Sequence, residues 1–329
     1  MLLVDPEAGH PGRQGVYTVE RCSMEDYVLR SLRKIHRRIT VVPFEPDVVT
    51  TIQRLRELDP ALVFNITECV DGDRRHDHAI AATLDMIGVP YTGTGAIGMQ
   101  LCRDKALAKR IVAADGVDVP RFVTTDSAQS LRHHGLRFPV IVKPQLRDGS
   151  DDIGKRALVD NTPDMQARVR VLLKKTREPV ICEEFIRGRD LYVALLGNGQ
   201  PEVMPPVELV IGRAHHPAAP QFATRHLKDS GSYRTRWRVS WRRARLAADL
   251  LEQVRRSSRK IFSLLKLRDY ARIDYRLTDD GQLKFIEANP NPDLHPHAMG
   301  MNRCFVGLDH ERVMARIVAA ARRRQSGKA

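Results

Sequence analysis

Two short segments near the carboxyl end of the chain alternate between apolar and polar residues around a turn. The first reads ARIDYR at 271–276, the second reads KFIEAN at 284–289, and DDG at 279–281 lies between them. Such alternation is typical of β-strands with one buried face, and an Asp-Gly turn joins strands of this kind into an antiparallel hairpin. The pattern therefore predicts an antiparallel strand pair in the last third of the chain.

The polar residues of this hairpin carry oxygen atoms that suit a hard cation. Arg272 and Asp274 share one face of the first strand, and Glu287 and Asn289 share one face of the second, because side chains two residues apart point the same way. Pairing through the turn places Asp274 opposite Glu287 and Asn289. Mg²⁺ prefers oxygen ligands and keeps phosphate oxygens in its shell, so a magnesium–phosphate site is one interpretation. A solvent-exposed hairpin with ordinary ion pairs is the alternative.

The first 95 residues have a different pattern, in which apolar runs alternate with amphipathic stretches. Buried strands are predicted at 39–42 and 62–66, and helices at 27–36 and 48–58. Strands that alternate with helices form a parallel sheet with crossover helices. The Gly and Pro content before residue 23 predicts an irregular start. The expected fold class is α/β, with α+β character in parts.

The apolar runs and breakers in the rest of the chain predict three units in all, at 1–95, 96–187 and 188–329. Residues 96–115 are expected to form one helix, because Gly116 and Pro120 provide a stop. The other predicted elements are strands at 138–143, 180–185, 191–196, 271–277 and 283–288, a long basic helix at 239–265, and a final helix at 311–323.

The charge balance is strongly basic, with 54 Lys and Arg residues against 40 acidic residues and a net charge of +14. Nucleic-acid-binding proteins gather such basic residues on one face. Here the arginines are spread along the chain, with denser patches at 234–245 and 322–324, and only two Trp and seven Tyr could stack on bases. We therefore disfavour a nucleic-acid partner, because a protein that handles anionic nucleotides is also often basic.

The five cysteines are scattered and form no CxxC pair, which predicts reduced thiols and a cytoplasmic protein. No run approaches the roughly 20 apolar residues that span a bilayer, so no membrane partner is expected. His76 with His78, and His295 with His297, form two HxH pairs. Zinc is disfavoured there, because no Cys or acidic partner stands at the right spacing.

Lys143 and the loop after it are candidates for binding phosphate. Lys143 closes the apolar strand FPVIVK, where a buried ammonium is costly unless an anion meets it. A lysine that extends to solvent is the alternative. The following loop at 149–152 reads GSDD, and its glycine and Ser150 could offer backbone N–H groups to a phosphate. Its two aspartates would repel the same phosphate.

Glu183 and Glu184 lie at the end of a predicted strand, in ICEEFIRGRD at 181–190. Carboxylates buried there without partners would be unfavourable. At the carboxyl end of the strand they could accept hydrogen bonds from an adenine amino group and from ribose hydroxyls. An exposed strand edge is the alternative, and the residues alone leave both open.

In this order, the segments resemble the D-alanine–D-alanine ligase family of ATP-grasp enzymes, from about residue 62 to residue 320. The motifs that carry the resemblance are VFN at 63–65, GVPYTGTG at 88–95, RDK at 103–105 with Lys109, FPVIVKP at 138–144, EEFI at 183–186, ARID at 271–274 and FIEAN at 285–289. The variant NITE at 65–68, followed by two arginines, is closer to ligase-like paralogues than to the cell-wall enzymes.

The resemblance implies a three-domain α/β architecture with ATP between two β-sheets. It also implies roles for individual residues. The phosphates would meet Lys105, Lys143 and Arg225, the adenine pocket would be lined by Glu183, Glu184, Phe185 and Ile186, and the ribose would meet Asp190. Two Mg²⁺ ions, or Mn²⁺ as an alternative, would be held by Asp274, Glu287 and Asn289. Arg272 would stabilise the reacting acyl group, and Ser150 would lie in the loop that closes over the phosphates.

The implied activity is that of an ADP-forming carboxylate–amine ligase, which works through an acyl-phosphate on amino acid or peptide substrates. The segment after Asn289 is shorter than in the family and lacks the serine that helps to hold the second D-alanine, and the N-terminal substrate loop is missing. We therefore predict an acceptor other than D-alanine. The altered loop at 149–152 keeps open the alternative of a nucleotide-binding protein without turnover. A homodimer through the first domain, common in relatives, is also left open.

Overall fold

The computed structural model describes residues 1–12, 16–147, 154–212, 231–296 and 301–327. The helices of these residues are α1 (Met24–Ile35), α2 (Val48–Leu58), α3 (Asp77–Met86), α4 (Ala96–Arg103), α5 (Lys105–Ala114), α6 (Thr162–Thr176), α7 (Gly231–Trp237), α8 (Ala248–Leu264) and α9 (His310–Gln325). The strands are β1 (Leu2–Val4), β2 (Gly9–Pro11), β3 (Tyr17–Val19), β4 (Val41–Pro43), β5 (Phe64–Asn65), β6 (Phe122–Thr125), β7 (Val140–Pro144), β8 (Leu158–Val159), β9 (Val180–Glu184), β10 (Arg189–Leu196), β11 (Glu202–Val203), β12 (Val207–Ile211), β13 (Val239–Arg243), β14 (Tyr270–Leu277) and β15 (Leu283–Pro290).

The first sheet is parallel, in the order β4-β1-β5. The predicted parallel sheet with crossover helices is therefore confirmed for this region. The expectation of an irregular start is wrong, because β1 is the central strand and its three residues are fully buried. The run Leu2–Val4 is short and the Gly and Pro residues that follow it dominate the local composition. A second short pair, β2 with β3, follows.

The second sheet is antiparallel, in the order β6-β9-β7-β8. Helix α6 packs against it, and the residues between them form a separate apolar cluster around Val142, Met165 and Val180. Because β9 lies between two neighbours, the carboxyl end of β9 leaves the sheet at its centre. The predicted strands at 138–143 and 180–185 are confirmed, with slightly shifted bounds.

The third sheet is also antiparallel, in the order β13-β12-β10-β14-β15, with β11 on β10. Helices α5 and α8 cover one face, and α9 covers the other together with α1 and β1. The predicted hairpin is the pair β14–β15. The strand β14 is buried along its whole length, so the hairpin forms the centre of the molecule rather than an exposed ribbon.

Two of the predicted helices are wrong in extent. The helix expected at 239–265 begins only at Ala248, because residues 239–243 form β13 against β12. The alternation of half-buried Val239 and Trp241 with exposed neighbours is the strand signal there. The helix expected at 96–115 is divided at Asp104, whose side chain accepts hydrogen bonds from Ala106 N and Leu107 N and so begins a new helix.

Contacts between the sheets position the loops around β14. Asp269, the residue before β14, accepts hydrogen bonds from Gly93 N at 2.8 Å and from Asn198 Nδ2 at 2.8 Å. Arg324 of α9 pairs with the same carboxylate at 3.0 Å. The unit boundaries at 95 and 187 stay a prediction, since α4 and α5 share an apolar cluster with the third sheet. In the described part of the chain, no helix is long and apolar enough to cross a membrane.

Candidate functional site

The hairpin β14–β15 brings the predicted cation-binding residues onto one face. Asp274 lies opposite Glu287, as predicted, but Asn289 lies opposite Arg272, two residue pairs further along the ladder. Asn289 still reaches Asp274, since its Nδ2 donates to Asp274 Oδ2 at 3.2 Å. The four residues therefore converge on one face, although Asn289 is not directly opposite Asp274.

A β-bulge at Ile286 makes this convergence possible. The ladder pairs Asp274 with Glu287 but Tyr275 with Phe285, so Ile286 has no partner on β14. Without the extra residue, Glu287 would lie on the same face as Phe285, which is fully buried in the core. The two consecutive apolar residues Phe285 and Ile286 interrupt the alternation and were the sequence signal for this bulge.

Arg272 and Asp274 form a buried bidentate ion pair. Arg272 Nε donates to Asp274 Oδ1 at 2.7 Å, and Arg272 Nη2 donates to Asp274 Oδ2 at 2.9 Å. The guanidinium also lies 5.4 Å from the centre of the Tyr192 ring. Burial acts to lower the pKa of Arg272, but the Asp274 carboxylate outweighs it and the pKa is raised. Arg272 therefore keeps its positive charge at any physiological pH.

The oxygens on this face suit a hard divalent cation. Asp274 and Glu287 supply two carboxylates and Asn289 an amide oxygen, a set that Mg²⁺ completes with waters and substrate phosphates. Among the described residues, no three His, Cys, Asp or Glu side chains form a group that could hold a metal by themselves. The donor set thus fits a cation that is bound together with a phosphate ligand.

A buried charge cluster lies at the centre of the second sheet. Glu183 on β9 contacts two lysines, with Lys143 Nζ 3.1 Å from its Oε2 and Lys109 Nζ 3.4 Å from its Oε1. Lys109 is 0% exposed, Glu183 is 2% exposed and Lys143 is 3% exposed. Burial acts to raise the pKa of Glu183, but the two lysines outweigh it and the pKa is lowered. One carboxylate is thus shared by two lysines, and Glu287 is a further carboxylate that acts on Lys109.

Lys109 was not assigned a role from the sequence. Its Nζ donates a hydrogen bond to the Ile286 carbonyl, and it lies 5.5 Å from the centre of the Phe285 ring. Burial lowers the pKa of Lys109 to about 8, against the opposing effect of Glu183. A lysine on the buried face of α5, in line with Ala108 and Val112, was the signal that could have identified it.

Lys105 begins α5 beside the end of β7. Its side chain is buried and its Nζ donates to the Arg147 carbonyl, while its backbone N–H donates to Gln145 O at 3.3 Å. Lys105 therefore lies next to the start of the loop that was predicted to close over phosphates. Ser150 in that loop and Arg225 both lie outside the described residues.

The segment after β9 is held by a second buried arginine that the sequence reasoning missed. Arg276 Nε lies 2.7 Å from Asp190 Oδ1, and Arg276 Nη1 donates to Gly188 O at 2.8 Å. The guanidinium also lies 5.1 Å from the centre of the Phe185 ring. Arg276 shares a strand face with Arg272 and Asp274, so the alternation of ARIDYR was the signal for it.

Glu184, Phe185 and Ile186 continue from β9 along the same side. The Glu184 carboxylate accepts a hydrogen bond from Arg137 N at 2.9 Å, and Phe185 N donates to Pro139 O at 2.9 Å. The predicted adenine residues therefore form one continuous stretch with Asp190, while the carboxylate of Glu183 points to the two lysines. The third sheet supplies the cation face, which consists of Arg272, Asp274, Glu287 and Asn289. The second sheet supplies Lys143, and α5 supplies Lys105 and Lys109.

Comparison with known proteins gives a consistent set of relatives. A family model described as D-ala D-ala ligase C-terminus matches residues 111–319. The protein y4sG of Sinorhizobium fredii, described as uncharacterized, is 30% identical over 98% of this chain and 92% of its own length. The D-alanine–D-alanine ligase of Aquifex aeolicus is 30% identical over 81% of this chain and 83% of its own length.

Solved structures share the architecture at lower identity. The D-alanine–D-alanine ligase of Bacillus anthracis complexed with ATP has a TM-score of 0.72 at 17% identity, over 100% of this chain and 98% of its own. The VanG D-Ala:D-Ser ligase of Enterococcus faecalis has a TM-score of 0.68 at 16% identity, over 97% of this chain and 98% of its own. At this level of identity the likeness shows a common fold.

Proposed function

Because this chain belongs to the D-alanine–D-alanine ligase family, we propose that it is an ADP-forming ligase that uses ATP and a divalent cation to join a carboxylate to an amine. The ATP-grasp fold expected from the resemblance is confirmed by the solved relatives. The observation that carries the proposal is the convergence of Arg272, Asp274, Glu287 and Asn289 on one face of β14–β15.

The nucleotide is proposed to lie between the second and third sheets. Phe185 and Ile186 would line the adenine pocket with Glu183 and Glu184, and Asp190 would contact the ribose. The sharing of Glu183 between Lys109 and Lys143 supports a phosphate close to Lys143, because a buried ammonium group that shares its counter-ion gains from a further anion. Lys105 would contact the same phosphates from the start of α5.

The metal is proposed to bind to Asp274, Glu287 and Asn289 as two Mg²⁺ ions, with Mn²⁺ as an alternative. Bound there, a divalent cation supplies charge neutralisation for the phosphoryl group that is transferred. The bidentate contact of Arg272 with Asp274 fixes the direction of that carboxylate before any ligand arrives. The cation face is therefore oriented by the protein itself.

The proposed reaction has two steps. A substrate carboxylate attacks the γ-phosphorus of ATP, the bond to the leaving ADP oxygen breaks, and an acyl-phosphate forms. An amine then attacks the acyl carbon, inorganic phosphate leaves, and the amine nitrogen loses a proton. Arg272, held in place by Asp274, would stabilise the negative oxygen of the tetrahedral intermediate.

The substrates are proposed to be amino acids or peptides, with an acceptor other than D-alanine. The support is the short segment after Asn289, which lacks the serine expected from the family resemblance. One observation favours a second candidate, a protein that binds nucleotide without turnover. The sequence at 149–152 includes Asp151 and Asp152, and like charge would weaken closure of such a loop over phosphates.

Phosphate release tests the proposal directly. Purified protein would be incubated with ATP, Mg²⁺ and pools of amino acids, dipeptides and hydroxy acids, and release would be measured with and without each pool. We expect release that depends on one pool and is lost in Asp274→Asn. Nucleotide binding without release in any pool would instead support the second candidate, and an absence of nucleotide binding would overturn both.

A further inference from the structure

Lys109 occupies a position that joins the two walls of the nucleotide site. It is fully buried on α5, and its ammonium group lies between Glu183 of β9 and the Ile286 carbonyl of β15. The ring of Phe285 lies 5.5 Å from the same ammonium group. A single side chain therefore contacts the strand that leads into the adenine segment and the strand that carries Glu287 and Asn289.

The contact with β15 falls on the bulge. Ile286 has no partner on β14, and its carbonyl accepts a hydrogen bond from the Lys109 ammonium group. Lys109 therefore holds β15 at the residue where its register with β14 shifts. Because the bulge puts Glu287 on the face of Asp274 instead of the face of Phe285, the group that stabilises the bulge also stabilises the cation face.

The contact with β9 concerns charge. Glu183 lies between Lys109 and Lys143, at 3.4 Å and 3.1 Å respectively. If Lys109 were absent, the Glu183 carboxylate would be the sole close counter-ion of Lys143, and the pair would be neutral. With Lys109 present, Glu183 is shared between two ammonium groups, so Lys143 is less completely neutralised and can attract an anionic ligand.

We propose that Lys109 is a positioning residue that acts on both parts of the site. It compensates the charge of Glu183 so that Lys143 stays available to phosphate, and it holds the β15 bulge that turns Glu287 toward the cation. This inference rests on the proposed function, since it needs a phosphate ligand and a cation. It assigns Lys109 no direct contact with the substrate.

Two equilibrium measurements separate the two effects. The first is the affinity of a fluorescent ATP analogue, which needs no turnover. The second is the Mg²⁺ concentration at half-maximal enhancement of that binding. In Lys109→Met we expect the analogue to bind about tenfold more weakly and the Mg²⁺ requirement to rise about tenfold, the scale of one lost interaction with a charged group.

A double variant distinguishes positioning from general damage. In Lys109→Met/Glu183→Gln the carboxylate that would neutralise Lys143 is gone, so we expect the analogue affinity to return to within about threefold of Glu183→Gln alone. The raised Mg²⁺ requirement should persist, because the Ile286 carbonyl is still without its donor. If the losses of the two single variants simply add in the double variant, in both measurements, the proposal is overturned. A purely structural role of Lys109 would give no recovery of analogue affinity.

The control is Arg324→Met, which removes another cation from a buried ion pair, with Asp269, away from the proposed site. We expect this variant to lose thermal stability without a change in analogue affinity. If Lys109→Met is too unstable to purify, the comparison of the double variant with Glu183→Gln still measures the Mg²⁺ effect. If the wild-type protein fails to bind the analogue, both the proposed function and this inference fail. If the wild-type protein and Lys109→Met bind the analogue with equal affinity, only this inference fails.

Discussion

Two buried Arg–Asp pairs near β14 have the same chemistry but different surroundings. Asp269, just before the strand, accepts from Gly93, Asn198 and Arg324, which are 176, 71 and 55 residues away in sequence. Asp274, within the strand, accepts from Arg272 and Asn289 of its own hairpin, which are 2 and 15 residues away. The first pair joins distant parts of the chain. The second lies within neighbouring strands of one sheet, which the backbone ladder already holds, and Tyr192 of β10 packs against its guanidinium.

The difference shows how a structural ion pair can be told from a functional one. The carboxylate of Asp269 is 0% exposed and contacts donors from three separate segments, so it has a clear role in the fold. The pair at Asp274 adds little to the connectivity of the chain, although burying two charges carries a desolvation cost. An ion pair that is costly to bury and contributes little to the stability of the fold is expected where its charges bind a ligand.

Replacing each carboxylate by its amide gives the largest expected contrast. Asp274→Asn should reduce phosphate release by about 10³-fold or more, because a metal ligand and the fixed orientation of Arg272 are both lost. Its melting temperature should also fall, because the buried Arg272 loses its counter-ion. Asp269→Asn should retain turnover and lose about 3 kcal/mol of the free energy of unfolding, the range for a buried pair with one partner removed.

Activity assays and thermal melts on both proteins check this contrast. A loss of turnover in Asp269→Asn as large as that in Asp274→Asn would contradict it, because the pair at Asp269 would then serve the reaction as well. Asp269→Glu is a useful companion to Asp269→Asn, since it keeps the charge but changes the reach of the carboxylate.

Arg276 provides a smaller contrast at the other end of β14. It holds Gly188 and Asp190 and packs on Phe185, so its contacts are with the proposed adenine and ribose segment. Arg276→Met should raise KM for ATP about tenfold, while kcat stays within about threefold, because the lost contacts orient the nucleotide before the chemical step. Arg324→Met, which removes the partner of Asp269, should leave KM for ATP unchanged.

Removal of divalent cations sharpens the same comparison without mutation. With EDTA in excess, ATP affinity should fall about tenfold in the wild-type protein, because Asp274 and Glu287 would then face the phosphates as uncompensated negative charges. Thermal stability of the ligand-free protein should not respond to EDTA, since the counter-ion of Asp269 is the Arg324 side chain. Nucleotide affinity that ignores the chelator would contradict the assignment of the β14–β15 face.

The sequence predicted the parts of the site that depend on local alternation. The hairpin, its turn and the common face of Arg272 and Asp274 follow from period-two patterning, which specifies the register when one face is buried. The same reasoning placed both Glu287 and Asn289 opposite Asp274, whereas in an antiparallel ladder Asn289 lies opposite Arg272. The bulge at Ile286, which brings Glu287 opposite Asp274, was not predicted. The two consecutive apolar residues were visible in the sequence, but they also fit an ordinary buried strand.

The parts that the sequence could not predict depend on contacts between distant segments. Lys109 and Ile286 are 177 residues apart, and no local pattern shows that a helix lysine meets a strand carbonyl. The central strand β1 was missed for a related reason, since three residues are too few to establish a period. Its burial is fixed by β4 and β5 on either side.

The smallest expected effect is a pH dependence at the contact between α1, α9 and the segment after Asn289. One ring nitrogen of His310 lies 2.7 Å from Ser31 Oγ and the other 2.8 Å from Leu294 O. Burial lowers the pKa of His310 below its ordinary value, with a small further lowering from His295 and opposing effects from Leu294 O, Glu311 and Asp309.

Because the folded protein holds His310 with a lowered pKa, the unfolded chain takes up the proton first as the pH falls through about 6.5. Protonation therefore favours unfolding, and stability should fall below that pH until the folded pKa is reached. We expect a loss of about 1 kcal/mol or less between pH 7.5 and 5.5, which His310→Gln should remove. Thermal melts of both proteins across this pH range test the sign. Equal slopes of melting temperature against pH would show that other groups cause the acid response. Turnover at pH 7.5 should be the same in both proteins, because His310 lies outside the Asp274 face.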